Sequence, residues 1–324
     1  MLSIEQLQEK IANALAGLPI HGEPEGLYQP ISYSLNQGGK RLRPLLTLIS
    51  TQLFGGNPNK ALPAAAAIEI FHNFTLLHDD IIDQAPLRRG HETVYKKWNT
   101  NTAILSGDTM FAIAFGQLAS SDPLLLPDLM KVFTKTAIEV CEGQQYDIDF
   151  EESADVSIPG YINMIRLKTA VLLAASLKIG AIVAGATKED AENIYLFGEN
   201  LGIAFQLQDD LLDAFGDEGL FGKKTGGDIV ANKKTFLYLK ALECSEAADK
   251  KLLTSLYGSR NQPDDKKVEQ VIGIFRRSDI PAYTKLEINS YFDKAMQNFN
   301  QISPNQAAKA ILLRLATDML QREF

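Results

Sequence analysis

From Ile4 onward the apolar positions recur at spacings of three and four residues, and sustained alternation of apolar and polar residues is scarce. That period belongs to helices. Ser3 with Gln6 three residues later has the form of a capping box opening a first helix, and Ser303-Pro304 with Gln306 repeats it for a last one. Clusters of glycine, proline and small polar residues predict breaks over 17–30, 55–63, 84–100, 120–127, 150–159, 216–232 and 258–265. No fixed-period repeat is visible, and no break is long enough to force a boundary. The expectation is one all-α domain over residues 1–324, a bundle of many helices.

Composition narrows the class. Of 324 residues 45% are hydrophobic and 22% charged, the balance of a soluble globular chain. No apolar run reaches the roughly 18 to 20 residues of a membrane span, and the start Met1-Leu2-Ser3-Ile4-Glu5 has no basic leader before an apolar core. A cytoplasmic location without a membrane span follows as an expectation. A net charge of −8 argues against general nucleic-acid binding, so an anionic ligand needs local cationic clusters or metal ions. Cys141 and Cys244 are too few and too far apart for a disulfide framework or a zinc site, and buried structural thiols are expected.

Two acidic clusters change the picture. Asp79, Asp80 and Asp83 end one apolar helical run; Asp209, Asp210 and Asp213 end another. Positions i and i+4 share a helix face, so Asp79 pairs with Asp83 and Asp209 with Asp213. Two such charges about 4 Å apart repel by roughly 4 kcal/mol at an effective dielectric near 20. Pro86 and Gly216 put both triads in the last turns of their helices, where the helix dipole adds negative potential. Carboxylate oxygens without cysteine or paired histidine select a hard ion, Mg²⁺ before Ca²⁺, and Mg²⁺ commonly bridges carboxylates to phosphates. One such triad is as easily a solvated helix end; two of one design suggest a metal site built from two halves.

Basic segments accompany the acids. Gly38-Gly39-Lys40-Arg41-Leu42-Arg43-Pro44 sets three cations and two glycines before an apolar helix, a pattern suited to cradling phosphate. Arg88-Arg89-Gly90 follows the first triad. Gly222-Lys223-Lys224-Thr225-Gly226-Gly227-Asp228 and Asn232-Lys233-Lys234-Thr235 follow the second, where a glycine- and lysine-rich loop can close over a diphosphate. Lys168-Thr169 and Phe205-Gln206 place polar groups on apolar helices, where unpaired burial is costly.

GGKRLRP, LLHDDIID with RRG, GQxxD from Gly143 to Asp147, KT at Lys168, FQLQDDLLD, GKxxGxD and NKKT occur in one order from Gly38 to Thr235. In that combination the chain resembles the trans-isoprenyl diphosphate synthases, the polyprenyl synthetase family, of short-chain geranylgeranyl or farnesyl type. The resemblance implies the all-α isoprenoid synthase fold around a central cavity, a homodimer, and Mg²⁺ as cofactor with three ions in the site. It implies head-to-tail condensation of isopentenyl diphosphate with an allylic prenyl diphosphate. By the same resemblance Asp79, Asp83 and Asp209 bind Mg²⁺ directly, supported by Asp80, Asp210 and Asp213. Arg88, Lys168, Lys223 and Lys233 hold the allylic diphosphate. Lys40, Arg43, His72 and Arg89 hold isopentenyl diphosphate, although a lone histidine on an apolar helix is more often a packed core residue. Gln144, Asp147, Thr169 and Gln206 surround the reacting centre, with Lys168, Thr169 and Gln206 acting in catalysis.

Product length falls to residues preceding the first triad. At 1.5 Å rise per residue, Phe74 lies about 7 to 8 Å and Phe71 about 12 Å along the helix from Asp79. Bulk at Phe74 and the smaller Thr75 resemble the geranylgeranyl (C20) type; Phe111 and Phe115, an i,i+4 pair, keep farnesyl (C15) open. A terpene cyclase also ionises a diphosphate at an aspartate cluster but takes no second diphosphate, which GGKRLRP and Arg89 would serve. A non-catalytic helical partner subunit is the alternative of another class, and the intact motifs argue against it.

Overall fold

The computed structural model describes residues 1–153, 155–216, 225–258, 264–303 and 306–320. Along the chain run α1 (Ile4–Ala16), α2 (Glu25–Asn36), α3 (Leu42–Leu53), α4 (Pro58–Ile82), β1 (Leu87–Arg88), β2 (His91–Glu92), α5 (Val94–Lys97), α6 (Thr100–Ala119), α7 (Leu126–Glu152) and α8 (Ile158–Ile165). A π-helical turn, Arg166–Ala170, joins α8 to α9 (Val171–Val183), and α10 (Lys188–Phe215) carries the second acidic triad. There follow α11 (Gly227–Val230), α12 (Phe236–Cys244), α13 (Ala247–Gly258), α14 (Asp264–Arg277), α15 (Ile280–Gln301) and α16 (Gln306–Leu320). The expected all-α class holds. The two short strands pair antiparallel, Leu87 opposite Glu92 and Arg88 opposite His91.

Contacts divide the chain into two compact units, one of Met1–Thr134, Ala175–Glu192 and Ser303–Leu312, the other of Lys135–Ala174, Asn193–Ile302 and Leu313–Phe324. In the first, α4 is the hub and packs most extensively on α6 and α3. Its start is set by Asn57, whose side chain accepts from the Asn59 N–H at 3.0 Å, and by Pro58 in the first turn. Ala61, Ala64, Ala65, Ala66 and Ala67 are all buried, and such small side chains let neighbouring helices come close without losing rotamer entropy. At its other end the Asp83 N–H reaches the Asp79 carbonyl (2.8 Å) and the Ala85 N–H the Asp80 carbonyl (3.0 Å), with Gln84 left-handed at φ 51°. The helix therefore stops on the acidic triad, as Pro86 led us to expect. The Ser3–Gln6 capping box also forms, with reciprocal hydrogen bonds of 3.3 and 2.9 Å. The corresponding box at the last helix involves Pro304, Asn305 and the Gln306 side chain, which lie outside the described residues.

In the second unit Leu207 and Leu211 of α10 share a core with Phe236 and Leu237 of α12 and with Val271, Ile274 and Phe275 of α14. Lys234, at the entry to α12, donates to the carbonyls of Phe150 (2.7 Å), Glu151 (3.1 Å) and Ser153 (2.7 Å) at the end of α7. A cation there satisfies carbonyls that a helix C-terminus leaves without partners.

Three expectations are corrected. Cys141 and Cys244 are exposed rather than buried: Cys141 shares the outer side of α7 with exposed Ile138, Glu142 and Gln145, and Cys244 is the last residue of α12. Predicted breaks overrun into helices, most deeply where Pro30 lies inside α2 and Pro63 inside α4. Each ring deletes one backbone donor early in its helix, a loss the surrounding packing offsets. The segment 84–100 is not bare loop; it holds the β1–β2 hairpin and α5.

Because Ala67 on α4 is fully buried, Ala67→Leu must force neighbouring side chains off their rotamers. The expected cost is about 1 to 3 kcal/mol, read as a lower urea midpoint at unchanged slope.

Candidate active site

The two acidic triads share a pattern of burial that their sequences did not disclose. The middle carboxylates, Asp80 and Asp210, are each only 5% exposed, whereas Asp79, Asp83, Asp209 and Asp213 are less buried. Asp80 accepts from Arg88 Nε at 2.6 Å. Asp210 accepts from the Tyr161 hydroxyl through one oxygen and from Gln206 Nε2, at 3.1 Å, through the other. Each triad thus spends its central residue on internal hydrogen bonds and keeps its i,i+4 pair more open. Among the described residues no three His, Cys, Asp or Glu side chains gather into a protein-only metal cage. An oxygen-only donor set with two outer carboxylates per helix end suits Mg²⁺, which is usually held by one or two carboxylates together with substrate phosphate and water.

In the first unit the basic segment is a left-handed turn. Gly38, Gly39 and Arg41 have φ of 77°, 118° and 46°, and α3 begins at the next residue. The φ of Gly39 suits glycine, and a Cβ there would stand 2.7 Å from the Arg89 guanidinium carbon and push that side chain aside. Arg89 donates to the Gly38 carbonyl, so the hairpin and the turn are clasped together. Arg43 Nη1 lies 3.0 Å from His72 Nε2. Burial, with Arg43, Arg89, Arg88 and Arg41 around it, holds the His72 imidazole well below its ordinary pKa, so the ring is neutral and accepts from Arg43. Arg43 itself is lowered to about 10, chiefly by burial, and stays charged at neutral pH. Exposed Lys40 completes the expected set on the same turn.

In the second unit a recess of about 580 Å³, open mouth included, is lined by Asp147, Lys168, Thr169, Gln206, Asp210 and Lys233 among others. Lys168 and Thr169 sit on the π-helical turn, a local widening frequent at functional sites. Gly143 of α7 admits that turn closely, since a Cβ on it would lie 2.3 Å from the Lys168 nitrogen. Lys168 Nζ reaches Asp147 at 2.5 Å. Thr169 Oγ1 donates to Gln206 Oε1 at 3.2 Å, and Gln206 passes the chain to Asp210. Gln144 Oε1 is buried without a hydrogen-bond partner. Asp213 accepts from the Asp228 N–H at 2.9 Å. Burial and then the Asp228 carboxylate push Asp210 up to about 8, and burial and then Asp213 push Asp228 up to about 6. Lys223 lies outside the described residues.

Five aromatic rings of the first unit interlock before the first triad. Phe71 is 1% exposed and lies 5.6, 5.7 and 5.4 Å, centroid to centroid, from Phe74, Phe111 and Phe133. Phe74 meets Phe111 at 5.2 Å and the His78 ring at 4.7 Å, while Phe115 bridges Phe111 (5.0 Å) and Phe133 (5.2 Å). Phe74 is only half-buried, so it presents a face that Phe71 does not. Thr75 Oγ1 turns back on the His72 carbonyl at 2.8 Å.

Sequence reasoning missed Tyr161, Phe133 and Glu69, and left Asp228 without a role. Tyr161 and Phe133 look like ordinary members of apolar helix faces. Glu69 left a signal, a lone acid inside the apolar run Ala64 to Phe71.

The polyprenyl synthetase family model matches residues 24–275. The chain belongs to the polyprenyl synthetase family. It is a prenyltransferase. It is 40% identical over 289 residues to a geranylgeranyl diphosphate synthase of Sulfolobus acidocaldarius, covering 88% of this chain and 87% of that one. A crystal structure of a geranylgeranyl pyrophosphate synthase superposes with a TM-score of 0.95 at 46% identity, covering all of both chains. A geranylgeranyl pyrophosphate synthase from Corynebacterium glutamicum, complexed with isoprenyl diphosphate and magnesium, gives a TM-score of 0.86 at 26% identity over 99% of this chain and 98% of that one.

Two outcomes test the geometry of this prenyltransferase. Gly143→Ala must displace the turn bearing Lys168 and Thr169, and turnover is expected to fall roughly ten- to a hundredfold, a size typical of a small misplacement at a reacting centre. Asp80 is pushed up from 3.8 to about 6, chiefly by burial and against the opposing pull of Arg88. Its folded pKa lies above its unfolded one, so the stability it contributes is full at low pH and is lost as pH rises through about 6. In EDTA, wild-type thermal midpoints should therefore gain on those of Asp80→Asn between about pH 7.5 and pH 5; parallel curves would contradict the assignment.

Proposed function

We propose that this prenyltransferase condenses isopentenyl diphosphate with an allylic diphosphate and releases geranylgeranyl diphosphate as its main product. The observation that carries the product length is the half-buried Phe74 ring, braced by Phe71 and Phe111 one to two helical turns before the first triad. A ring held on two sides cannot swing away from a growing prenyl tail, so it serves as a floor.

In this reading Arg43, Arg89, Lys40 and the neutral His72 hold the isopentenyl diphosphate. Arg88, Lys168 and Lys233, with Lys223, hold the allylic diphosphate. The outer carboxylates Asp79, Asp83, Asp209 and Asp213 hold Mg²⁺, with Asp80 and Asp210 fixing their helix ends. Bound Mg²⁺ would supply Lewis-acid stabilisation of the departing diphosphate. The cationic side chains stabilise the same leaving group by charge-assisted hydrogen bonds as the allylic C–O bond breaks. The dipoles of Thr169 and Gln206, linked at 3.2 Å, face developing positive charge on the allylic fragment. The isopentenyl double bond attacks that cation, and the proton lost from the adduct passes to the released diphosphate, so the chain need supply no general base. The chain acts as a single domain and a homodimer, and its Mg²⁺ complement is three ions.

The test is incubation with Mg²⁺, radiolabelled isopentenyl diphosphate and an allylic primer, followed by chromatography of the dephosphorylated products. Label is expected in a C20 alcohol, and Asp209→Ala is expected to abolish it; label that never enters a longer chain would overturn the reading. Phe74→Ala is expected to shift the products beyond C20, and an unchanged distribution would move the floor to Phe71, Phe111 or Phe115.

A further inference from the structure

Glu69 is a carboxylate the reaction does not use, set where an anion binder would not be expected to keep one. It is 2% exposed on α4. Its Oε1 takes Arg41 Nη1 at 2.5 Å and Asn73 Nδ2 at 3.0 Å, and Asn73 also reaches the Glu69 carbonyl at 2.8 Å. Arg41 is anchored at its other nitrogen by the Leu35 carbonyl. The fork of Arg41 is thus consumed inside the protein, and its charge and that of Glu69 form an internal pair. Glu69's influence is not confined to that pair: it is the leading favourable charge acting on both Arg43 and Arg89. Arg43 and Arg89 in turn oppose each other, and Arg41 and Arg88 add to the repulsion at Arg89.

The first unit therefore gathers Arg41, Arg43, Arg88 and Arg89 around a neutral His72 and compensates them with two buried carboxylates. Asp80 pairs with Arg88 and Glu69 with Arg41, while His72, one turn after Glu69 on α4, meets Arg43 at 3.0 Å. A negative charge beneath guanidinium groups weakens their hold on a diphosphate, because the bound anion meets it as a like charge. It also removes their mutual repulsion when no diphosphate is present. In a head-to-tail condensation the allylic fragment loses its diphosphate while the product keeps the one that came with isopentenyl diphosphate. Whatever grips that group in the substrate grips it in the product as well.

We propose that Glu69 is a positioning residue that limits the affinity of the Arg43–Arg89 subsite for the isopentenyl diphosphate headgroup, so that the subsite can release the same diphosphate when the product carries it. The proposal rests on Arg43 and Arg89 holding that headgroup. Uniform tightening of substrate and product lowers KM without helping turnover. Glu69→Gln keeps an acceptor for Arg41 and Asn73 while removing the charge. KM for isopentenyl diphosphate is expected to fall about three- to tenfold, the size of one partly screened charge interaction, and kcat to fall with it. KM for the allylic substrate stays as in wild type.

Glu69→Gln leaves Arg41 without its counter-charge, so Glu69→Gln with Arg41→Gln provides a variant of unchanged net charge that removes the buried pair together. Its KM for isopentenyl diphosphate is expected to lie within about twofold of wild type. A purely structural Glu69 would raise KM in both variants. An unchanged or raised KM in folded Glu69→Gln overturns the proposal, as does a raised KM in the double variant if only that one folds. Arg43→Gln separates the two levels of the reading. If it leaves KM for isopentenyl diphosphate unchanged, the headgroup is not held where we place it; if it raises KM while Glu69→Gln does not lower it, the subsite stands and the role of Glu69 falls.

Discussion

Charge of one sign cannot be crowded into a half-buried place without an opposite charge to answer it. Most of the local structure around both acidic triads follows from that constraint. Without diphosphate the protein answers its cations internally: Arg88 with Asp80, Arg41 with Glu69, Lys168 with Asp147. The Arg41–Glu69 and Lys168–Asp147 contacts join residues 28 and 21 positions apart in sequence, so they also tie one chain segment to another. A cation held in this way is already oriented, so less of its side-chain entropy remains to be lost.

The same constraint accounts for the uncharged groups. His72 stays neutral because it is buried and, after that, because four arginines act on it, and a neutral imidazole can accept from Arg43 where an imidazolium would repel it. Asp210 is deeply buried, so it draws on Tyr161 and Gln206, and Gln206 in turn becomes fixed against Thr169. The order of Thr169 and Gln206 in the recess is inherited from the hydrogen bonding of the carboxylate behind them.

What could be read from the sequence was whatever depends on spacing along the chain. The Asp79–Asp83 pair, the stop before Pro86, the Ser3 cap and the glycine turn before α3 are all local, and all of them formed. What could not be read depends on tertiary contact. Tyr161 acquires meaning only beside Asp210, Phe133 only beside Phe71 and Phe115, and Glu69 only beneath Arg41. The exposed thiols were misjudged because cysteine composition favours burial on average, while position on α7 and at the end of α12 decided the outcome. The roles of the six aspartates rest on the family's motifs and on the burial pattern together.

The π-helical turn at Arg166–Ala170 has a consequence for how this chain varies. The wider turn holds one residue more than an α-helix would over the same length. Ala170 to Ala174 are buried without a break, and Ala170 packs so closely on Gly202 that a Cβ on that glycine would stand 2.6 Å from the Ala170 Cα. Lys168 and Thr169, adjacent on that turn, both line the recess. A residue lost anywhere from Arg166 to Ala170 would slide the Lys168 and Ala170 backbone against Gly143 and Gly202, which leave no room for it, so the length of this segment is held as firmly as its residue types.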